Sequence, residues 1–350
     1  MTKKIAVIPG DLAGLEVVPE AVKVLRCLDL PFEYEEFEVG AAPLLRGEPV
    51  LSEETFAAAS EADAILFGAI GDPRIPDVGY PAQVLFRFRF DFDLYVNLRP
   101  ARLLDRRLSP LRESNRQNVD LLIVRENTEG IYAGVGGRFK RGTEQEIAIQ
   151  EDINTHLGVS RIIEYAFTKA SLQLCMVDKS NALAHAGGLW QERWAAIGAK
   201  HSQLERRHLY ADAAAMELVR DPSQFEVLVT NNLFGDILSD LAAVLVGGVG
   251  MAPSANINPE SGRGFFEPVH GSAPTIAGQG VVNPIGTILT AALMCEHLGY
   301  PEAAAQIQAA VAVAVRAGQC TRDVGGSLST NEAGTAIVNH LGTKAAAGAL

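Results

Sequence analysis

Short apolar runs alternate along this chain with longer segments whose hydrophobic residues recur at helical spacing. The runs are typical of buried strands and lie at 5–8, 64–67, 121–124, 174–177 and 227–230. The helical segments include those at 16–28, 160–169, 189–199 and 302–315. This alternation predicts an α/β architecture with a largely parallel sheet, because parallel strands need crossover connections that are usually helices.

Composition limits the partners that the chain can bind. Its 350 residues are enough for two domains of ordinary size. With 42 acidic and 30 basic residues, the formal net charge is −12. Because an acidic surface repels phosphate groups, we expect no nucleic-acid partner and no binding to anionic membranes.

The sequence carries no signal for a membrane or for an oxidising compartment. The first apolar run, at 5–8, is too short for a signal peptide, and no run reaches the ~18 residues of a membrane helix. The four cysteines lie far apart without a C-x-x-C pair, which argues against a disulfide framework or a zinc site. We therefore expect a cytoplasmic protein.

The turn after the first predicted strand reads Gly10-Asp11-Leu12-Ala13-Gly14 and opens a predicted helix. It does not match G-x-G-x-x-G, so it does not indicate a Rossmann fold. A turn that uses the conformational freedom of glycine is the simpler interpretation.

Nine arginines fall within residues 87–125, a stretch that contains no lysine. Arg89, Arg99 and Arg125 are predicted beside strand ends, where open α/β sheets bind ligands and where guanidinium groups can grip carboxylates. A solvated basic face explains these three equally well and is the better explanation for the others. Phenylalanines alternate with charged residues over 86–93, which is typical of a two-faced strand, although a helix end also fits.

Asp236 and Asp240 follow the strand at 227–230 and lie four residues apart at the start of a predicted helix. Their carboxylates therefore share one helix face and repel each other unless a cation lies between them. A divalent metal ion accepts such oxygens. Compensation of the helix dipole is the alternative, and it explains Asp236 better than Asp240.

Four further residues are ambiguous when each is taken alone. Lys179 closes a strand and is either a surface residue or a base with a lowered pKa. Tyr132 and Asp212 are as typical of packing and surface positions as of catalysis. His270 lies in a Gly/Pro/Ser-rich loop whose backbone N–H groups could hold an anion, although a turn or core histidine is the more common case.

Together these segments resemble the metal-dependent β-decarboxylating dehydrogenases, the isocitrate/isopropylmalate dehydrogenase family, which also includes D-malate and tartrate dehydrogenases. The resemblance covers essentially the whole chain. The stretches that carry it are NLRPA at 97–101, VRENTEGIY at 124–132, DKSN at 178–181, NLFGDILSD at 232–240 and EPVHGSAP at 267–274.

The resemblance implies a homodimer whose subunits have an isopropylmalate dehydrogenase-like two-domain α/β fold with mixed sheets, distinct from a Rossmann fold. The implied cofactor-side domain comprises 1–96 plus 251–350. The implied dimerisation and substrate/metal domain comprises 97–250, with a projecting arm near 134–155.

The resemblance also implies roles for the charged residues. Arg89, Arg99 and Arg125 would bind the carboxylates of a small dicarboxylate substrate. The implied ligands of Mg²⁺ or Mn²⁺ are Asp236, Asp240 and, from the partner subunit, Asp212. Lys179, also from the partner subunit, would serve the base step, and Tyr132 would protonate C3 of the enolate; Tyr132, Lys179 and Asp212 form the implied catalytic set.

The implied cofactor is NAD, and its predicted ligands are Glu267, His270, Gly271, Ser272, Ala273, Thr275, Ile276 and Asn283. Thr275 stands where NAD enzymes of this family usually carry aspartate, so the charge that repels a 2′-phosphate is missing and NADP is not excluded. The first turn also departs from the usual Gly-Asp-Gly-Ile-Gly-Pro-Glu, which puts the cofactor's affinity or orientation in question.

Substrate choice depends on the group at C3 of the malate. Leu85 and Phe86 offer an apolar wall that favours 3-isopropylmalate, and Gln83 and Leu85 replace the Ser and Asn of isocitrate enzymes. Ala82 and Ala182 would widen the pocket for a bulkier 3-substituted malate. The segments at 253–259 and 325–330 instead look closer to D-malate and tartrate enzymes, which are the alternative.

Two other classes of function were weighed. A non-catalytic regulatory subunit is disfavoured because Tyr132, Lys179 and the three aspartates are all present. An anion-binding protein without redox activity would bind malate derivatives without forming NADH.

Overall fold

The computed structural model describes residues 2–112 and 118–342, so Arg116, one of the clustered arginines, lies outside it. The strands within these ranges are β1 (Lys3–Gly10), β2 (Phe32–Glu36), β3 (Ala64–Ala69), β4 (Val96–Arg102), β5 (Asp120–Glu126), β6 (Gly136–Phe139), β7 (Ile147–Gln150), β8 (Gln173–Asp178), β9 (Glu205–Tyr210), β10 (Val227–Thr230), β11 (Ala255–Ile257) and β12 (Gly264–Phe266). The helices are α1 (Ala13–Arg26), α2 (Ala41–Leu45), α3 (Glu53–Ser60), α4 (Tyr80–Asp91), α5 (His156–Lys169), α6 (Ala184–Gly198), α7 (Ala211–Arg220), α8 (Asn232–Leu245), α9 (Ile285–His297), α10 (Pro301–Arg316) and α11 (Thr330–His340).

Ten strands form one mixed sheet in the order β2-β1-β3-β12-β11-β4-β5-β10-β8-β9. The outer pairings are parallel, whereas β11 pairs antiparallel with both β12 and β4, and β4 pairs antiparallel with β5. All five strands and all four helices predicted from the apolar patterns are present. The predicted α/β class is therefore confirmed, with an antiparallel centre that those patterns did not predict.

The two faces of the sheet carry different cores. Ile5 and Val7 of β1 point to one face, the first face, and join a cluster that includes residues of α1, α5, α6, α9 and α10. Ala6 and Ile8 point to the opposite, second face and join a separate cluster with α2, α3 and α4. At the other end of the sheet the second face is covered by α7 and α8. The result is a three-layer α/β/α arrangement.

The stretch 86–93, predicted as a two-faced strand with a helix end as the alternative, contains the end of a helix, so the strand prediction is wrong and the alternative is correct. Residues 86–91 form the end of α4, and Phe92 follows as its C-cap. The period-two pattern also satisfies a helix, because Phe86 contacts Phe90 and Phe88 contacts Phe92 at i,i+4, with ring centroids 5.5 and 5.7 Å apart. Arg89 therefore lies in the last turn of a helix and not beside a strand end.

The strands β6 and β7 form a separate antiparallel ribbon within 134–155, the stretch that the resemblance assigns to a projecting arm. Both strands are exposed along their length. No helix within the described ranges is long and apolar enough to cross a membrane. Because the main sheet is continuous, the two-domain division at 96/97 and 250/251 stays a prediction.

Candidate active site

Buried polar side chains fill the middle of the second face, between its two hydrophobic clusters. In the central strands, several of the residues that alternate with the core of the first face are polar or charged, and they point to the second face because successive side chains point to opposite faces. The set consists of Asn97 and Arg99 on β4, Arg125 on β5, Asn256 on β11, and Glu267 just after β12. Burial of this many polar groups is costly unless they are paired, so the strip is a candidate ligand site.

The three arginines predicted to bind substrate converge on this strip. Each of them is at least nine-tenths buried. Burial lowers the pKa of the Arg99 and Arg125 guanidinium groups, and the neighbouring charges of Arg99 and Arg89 lower that of Arg125 further. Three positive charges gathered in one strip and buried from water favour the binding of an anionic ligand.

Each guanidinium group is held by a different element. Arg89 donates from Nη2 to Glu267 at 2.9 Å. Arg99 donates from Nε to Asn97 at 2.8 Å, and its Nη1 lies 3.4 Å from the Ser239 hydroxyl.

Arg125 lies closest to the acidic helix α8. It donates from Nε to Asn232 at 2.9 Å and pairs with Asp236. Its side-chain stem packs over Gly235, where an added Cβ would lie 2.5 Å from Cγ. The glycine is therefore required for this close approach of the helix to β5.

Asp236 and Asp240 lie on one face of α8, whose first turn is capped by the Asn231 side chain. Burial would raise the pKa of Asp236, but the charge of Arg125 and a 2.8 Å hydrogen bond from the Tyr132 hydroxyl hold it below its usual value. Burial raises the pKa of Asp240 against the opposing effect of Arg99, and the charge of Asp236 raises it further. A cation between the two carboxylates would relieve this repulsion.

These two carboxylates suit a divalent ion by ligand type but do not complete a metal site. No cluster of three or more Asp, Glu, His or Cys side chains able to hold a metal occurs within residues 2–112 and 118–342. Asp212, the third predicted ligand, instead accepts a 2.5 Å hydrogen bond from Lys179, which lowers its pKa. The structure thus brings together Asp236 and Asp240, and separately Lys179 and Asp212.

Tyr132 lies between the arginines and the predicted substrate wall. The guanidinium carbon of Arg125 is 5.3 Å from its ring centroid, and Phe86 meets the ring edge-on with centroids 6.2 Å apart. Burial and the negative charge of Asp236 both raise the Tyr132 pKa, so the hydroxyl keeps its proton at neutral pH. Leu85, one residue before Phe86, packs against the cluster beneath α4.

The predicted cofactor residues lie on the loop between β12 and α9, beside the first turn of the chain. Ala13 donates its backbone N–H to the Ser272 carbonyl at 3.0 Å, which ties the turn at 10–14 to this loop. Ala273 adopts a positive φ of 45°, and burial lowers the pKa of His270.

The remaining predicted cofactor residues have different environments. Thr275 and Ile276 are exposed, as is Gly271. The Asn283 side chain is buried and bonds to Asp323 and to the first turn of α9. Glu267 contacts Arg89, so the structure joins it to the substrate arginines; the cofactor role of all these residues stays a prediction.

A cavity of about 640 Å³ lies on the first face, lined by apolar side chains that include Leu98, Leu122 and Leu289. Leu98 and Leu122 alternate along β4 and β5 with Arg99 and Arg125, which point the other way. None of the predicted site residues lines this cavity, so it is not part of the candidate active site.

Residues 4–337 match the family model described as isocitrate/isopropylmalate dehydrogenase. The chain belongs to the isocitrate/isopropylmalate dehydrogenase family. Family membership confirms the resemblance, the fold class and the enzyme class predicted from the sequence, a decarboxylating dehydrogenase.

Similar members of the isocitrate/isopropylmalate dehydrogenase family come from several bacteria. The 3-isopropylmalate dehydrogenase of Thermobifida fusca is 48% identical over 320 residues, covering 89% of this chain and 90% of that protein. The 3-isopropylmalate dehydrogenase of Beutenbergia cavernae is 45% identical, covering 95% of this chain and all of that protein. The crystal structure of isocitrate dehydrogenase from Methylococcus capsulatus is 36% identical, with a TM-score of 0.89 over 97% of this chain and 99% of that chain.

Several polar residues of this isocitrate/isopropylmalate dehydrogenase site were not assigned from the sequence. Asn97 and Asn232 lie inside the stretches that carry the family resemblance, so their position was a usable signal. Ser239 lies inside such a stretch too, at 232–240. Asn256 lies outside the five stretches, and only the pairing of β11 with β4 brings it to the arginines.

Proposed function

We propose that this protein catalyses the NAD-dependent, divalent-metal-dependent oxidative decarboxylation of a 3-substituted (2R)-malate, with 3-isopropylmalate as the preferred substrate. The observation that carries the proposal is the convergence of three buried arginines on two carboxylates and a protonated tyrosine. Relatives named 3-isopropylmalate dehydrogenase, at 42–48% identity, support this choice of substrate.

The chain's own groups divide the work between binding and proton transfer. Arg89, Arg99 and Arg125 bind the two carboxylates and orient the C2–C3 bond, as guanidinium groups do when they contact planar anions. Tyr132 holds a proton next to the arginines and donates it to C3 after CO₂ has left. Lys179 serves as the base for the 2-hydroxyl proton.

Two bound groups complete the chemistry. Asp236 and Asp240, with Asp212 of the partner subunit, would hold Mg²⁺ or Mn²⁺, which when bound lowers the pKa of the 2-hydroxyl and stabilises negative charge on it. NAD would bind on the loop that includes His270 and Thr275 and accept the hydride. NADP is the alternative, because Thr275 carries no charge to repel a 2′-phosphate.

A homodimer with shared sites is part of the proposal. The ribbon β6–β7 exposes a row of large apolar side chains, namely Val135, Phe139, Ile147 and Ile149. The helices α7 and α8 do the same with Met216, Val219, Ile237 and Val244. Exposed apolar patches of this kind mark protein interfaces. We assign them to dimerisation through the domain 97–250, with 1–96 and 251–350 as the cofactor-side domain of a cytoplasmic enzyme.

The substrate is tested with a panel of C3-substituted malates, with NAD or NADP and with or without EDTA. We expect the highest kcat/KM for 3-isopropylmalate with NAD, and loss of activity in EDTA that Mn²⁺ restores. Turnover of D-malate far above that of every 3-alkylmalate would instead assign the D-malate alternative, and binding without NADH formation would indicate an anion-binding protein.

Sharing of the sites is tested by mixing two inactive variants, Asp240→Asn and Lys179→Ala, under conditions that exchange subunits. In a mixed dimer one site carries both substitutions and the other carries neither, so random exchange should restore about a quarter of the wild-type activity. Subunit exchange without any recovery would show that each site is built from one chain.

A further inference from the structure

Asn256 lies at the centre of the buried polar strip, on β11, with its side chain completely buried. The proposed function gives it no role. Its amide makes four hydrogen bonds, which is the full capacity of an asparagine side chain. Nδ2 donates to the Phe265 carbonyl and to Glu267, and Oδ1 accepts from Asn97 and Asn127, all at 3.0 Å.

One branch of this network reaches Arg89. The carboxylate oxygen of Glu267 that accepts from Asn256 also accepts from Nη2 of Arg89, at 2.9 Å. The Nε of Arg89 is buried and has no hydrogen-bond partner among the described residues, so one donor of this guanidinium group is left for a ligand. Asn256 therefore fixes the carboxylate that in turn orients Arg89.

The second branch reaches Arg99. Asn97 donates its amide to Asn256 and accepts from Nε of Arg99 at 2.8 Å. Asn127, two residues after Arg125 and just beyond the end of β5, donates to the same oxygen of Asn256. A single amide thus connects the supports of two substrate arginines that come from α4 and β4.

We propose that Asn256 is a positioning residue that sets the separation and orientation of the Arg89 and Arg99 guanidinium groups for a dicarboxylate. The inference rests on the proposed function, because it requires that both arginines bind the substrate. Only an amide satisfies both branches at once: a carboxylate would lack the donors for Glu267 and the Phe265 carbonyl, and an apolar side chain would break all four hydrogen bonds.

The test compares Asn256→Leu with a matched control, Asn258→Ala. Asn258 is also a buried asparagine, two residues further along, but its side chain bonds only to the backbone of Asp93, Glu260 and Ser261 and of neighbouring Phe92. We expect Asn256→Leu to raise the KM for the malate substrate about 10-fold or more, with the KM for NAD unchanged within about twofold. We expect Asn258→Ala to lower thermal stability while leaving both KM values as they are.

A double-substitution cycle separates positioning from general loss of structure. The effects of Arg89→Lys and Asn256→Leu on kcat/KM should be strongly non-additive, because Asn256→Leu removes only the substrate binding that depends on the correct orientation of the arginine. If Asn256→Leu does not fold, Asn256→Ser should show the same changes at smaller size. An unchanged malate KM in a folded Asn256 variant, or additive effects with Arg89→Lys, would overturn the proposal.

Failure of the positioning role of Asn256 can be distinguished from failure of the proposed function. If the wild type oxidises none of the malates, the proposed function fails, and the positioning role is then measured by calorimetric binding of malonate, a simple dicarboxylate. Weaker malonate binding by Asn256→Leu than by wild type would support the role of Asn256. Equal binding by the two, including no binding by either, would overturn it.

Discussion

Leu12 occupies a backbone conformation that residues other than glycine rarely adopt. Its φ is 48° and its ψ is −107°, close to the second residue of a type II′ turn at about (+60°, −120°), a position dominated by glycine. The turn is closed by a 2.9 Å hydrogen bond from the Gly14 N–H to the Asp11 carbonyl. The family's usual glycine at this position is thus replaced without loss of the turn.

The size of the strain can be worked out from two substitutions at this position. A residue held in such a region costs about 1–3 kcal/mol, whereas glycine adopts it freely. Against this, glycine loses about 0.5–1 kcal/mol more backbone entropy on folding than alanine. Leu12→Gly and Leu12→Ala both remove the leucine side chain beyond Cβ, so their difference reports the backbone: we expect the glycine variant to be more stable than the alanine variant by up to about 2.5 kcal/mol.

Urea unfolding at equilibrium measures this difference, and Leu15 provides the matched control. Leu15 is an exposed leucine in the first turn of α1, with ordinary helical backbone. There the order should reverse, with Leu15→Gly about 0.5–1 kcal/mol less stable than Leu15→Ala. If Leu12→Gly were also the less stable of its pair, the turn would not be strained and the reasoning would be wrong.

Three further predictions follow from single contacts. Gly235→Ala should lower kcat/KM by on the order of 10-fold by displacing Arg125. Gly188 is a helical glycine with open space around it, so Gly188→Ala should leave the kinetics unchanged. Equal activity of the two variants would refute the role of the contact between Gly235 and Arg125. Phe86→Ala should shift kcat/KM about 10-fold towards malates with larger C3 groups, and no shift would place the substituent elsewhere. Desolvation would raise the pKa of Glu226, but hydrogen bonds from three backbone N–H groups hold it below its usual value. The ionised carboxylate should therefore stabilise the fold at pH values above its unfolded-state pKa, and this stabilisation should be lost as the pH falls through its folded-state pKa. The deficit of Glu226→Gln in urea unfolding should therefore be present at pH 7 and vanish in acid; a deficit independent of pH would contradict this.

The sequence predicted those elements whose pattern is local. Buried runs such as 174–177 and 227–230 are strands because they are apolar throughout and are flanked by helices on both faces of a parallel sheet. The helix α4 was misread because the same spacing of phenylalanines satisfies a period of two along a strand and contacts at i,i+4 on a helix. Only the three-dimensional structure, in which Phe86 contacts Phe90 and Phe88 contacts Phe92, distinguishes the helix from the strand.

The candidate site shows the same division between local and distant information. The positions of Arg125 and Asp236 follow from a strand end and a helix start that the sequence displays. Arg99, predicted beside a strand end, instead lies in the middle of β4. The contact between Arg89 and Glu267 spans 178 positions along the chain, and nothing in either neighbourhood specifies it. The contact between Lys179 and Asp212 could not be derived either, since it depends on how the end of β8 lies against α7.

The order of strands also constrains the folding of the nascent chain. In the finished sheet β3 and β4 are not neighbours, because β12 and β11 lie between them. Residues 255–266 are therefore synthesised long after the strands that they join. Until they leave the ribosome, β3 and β4 present unpaired edges to one another and to other chains. A ribosome stalled before residue 255 should thus hold an aggregation-prone intermediate, and chaperone demand should fall once these twelve residues emerge.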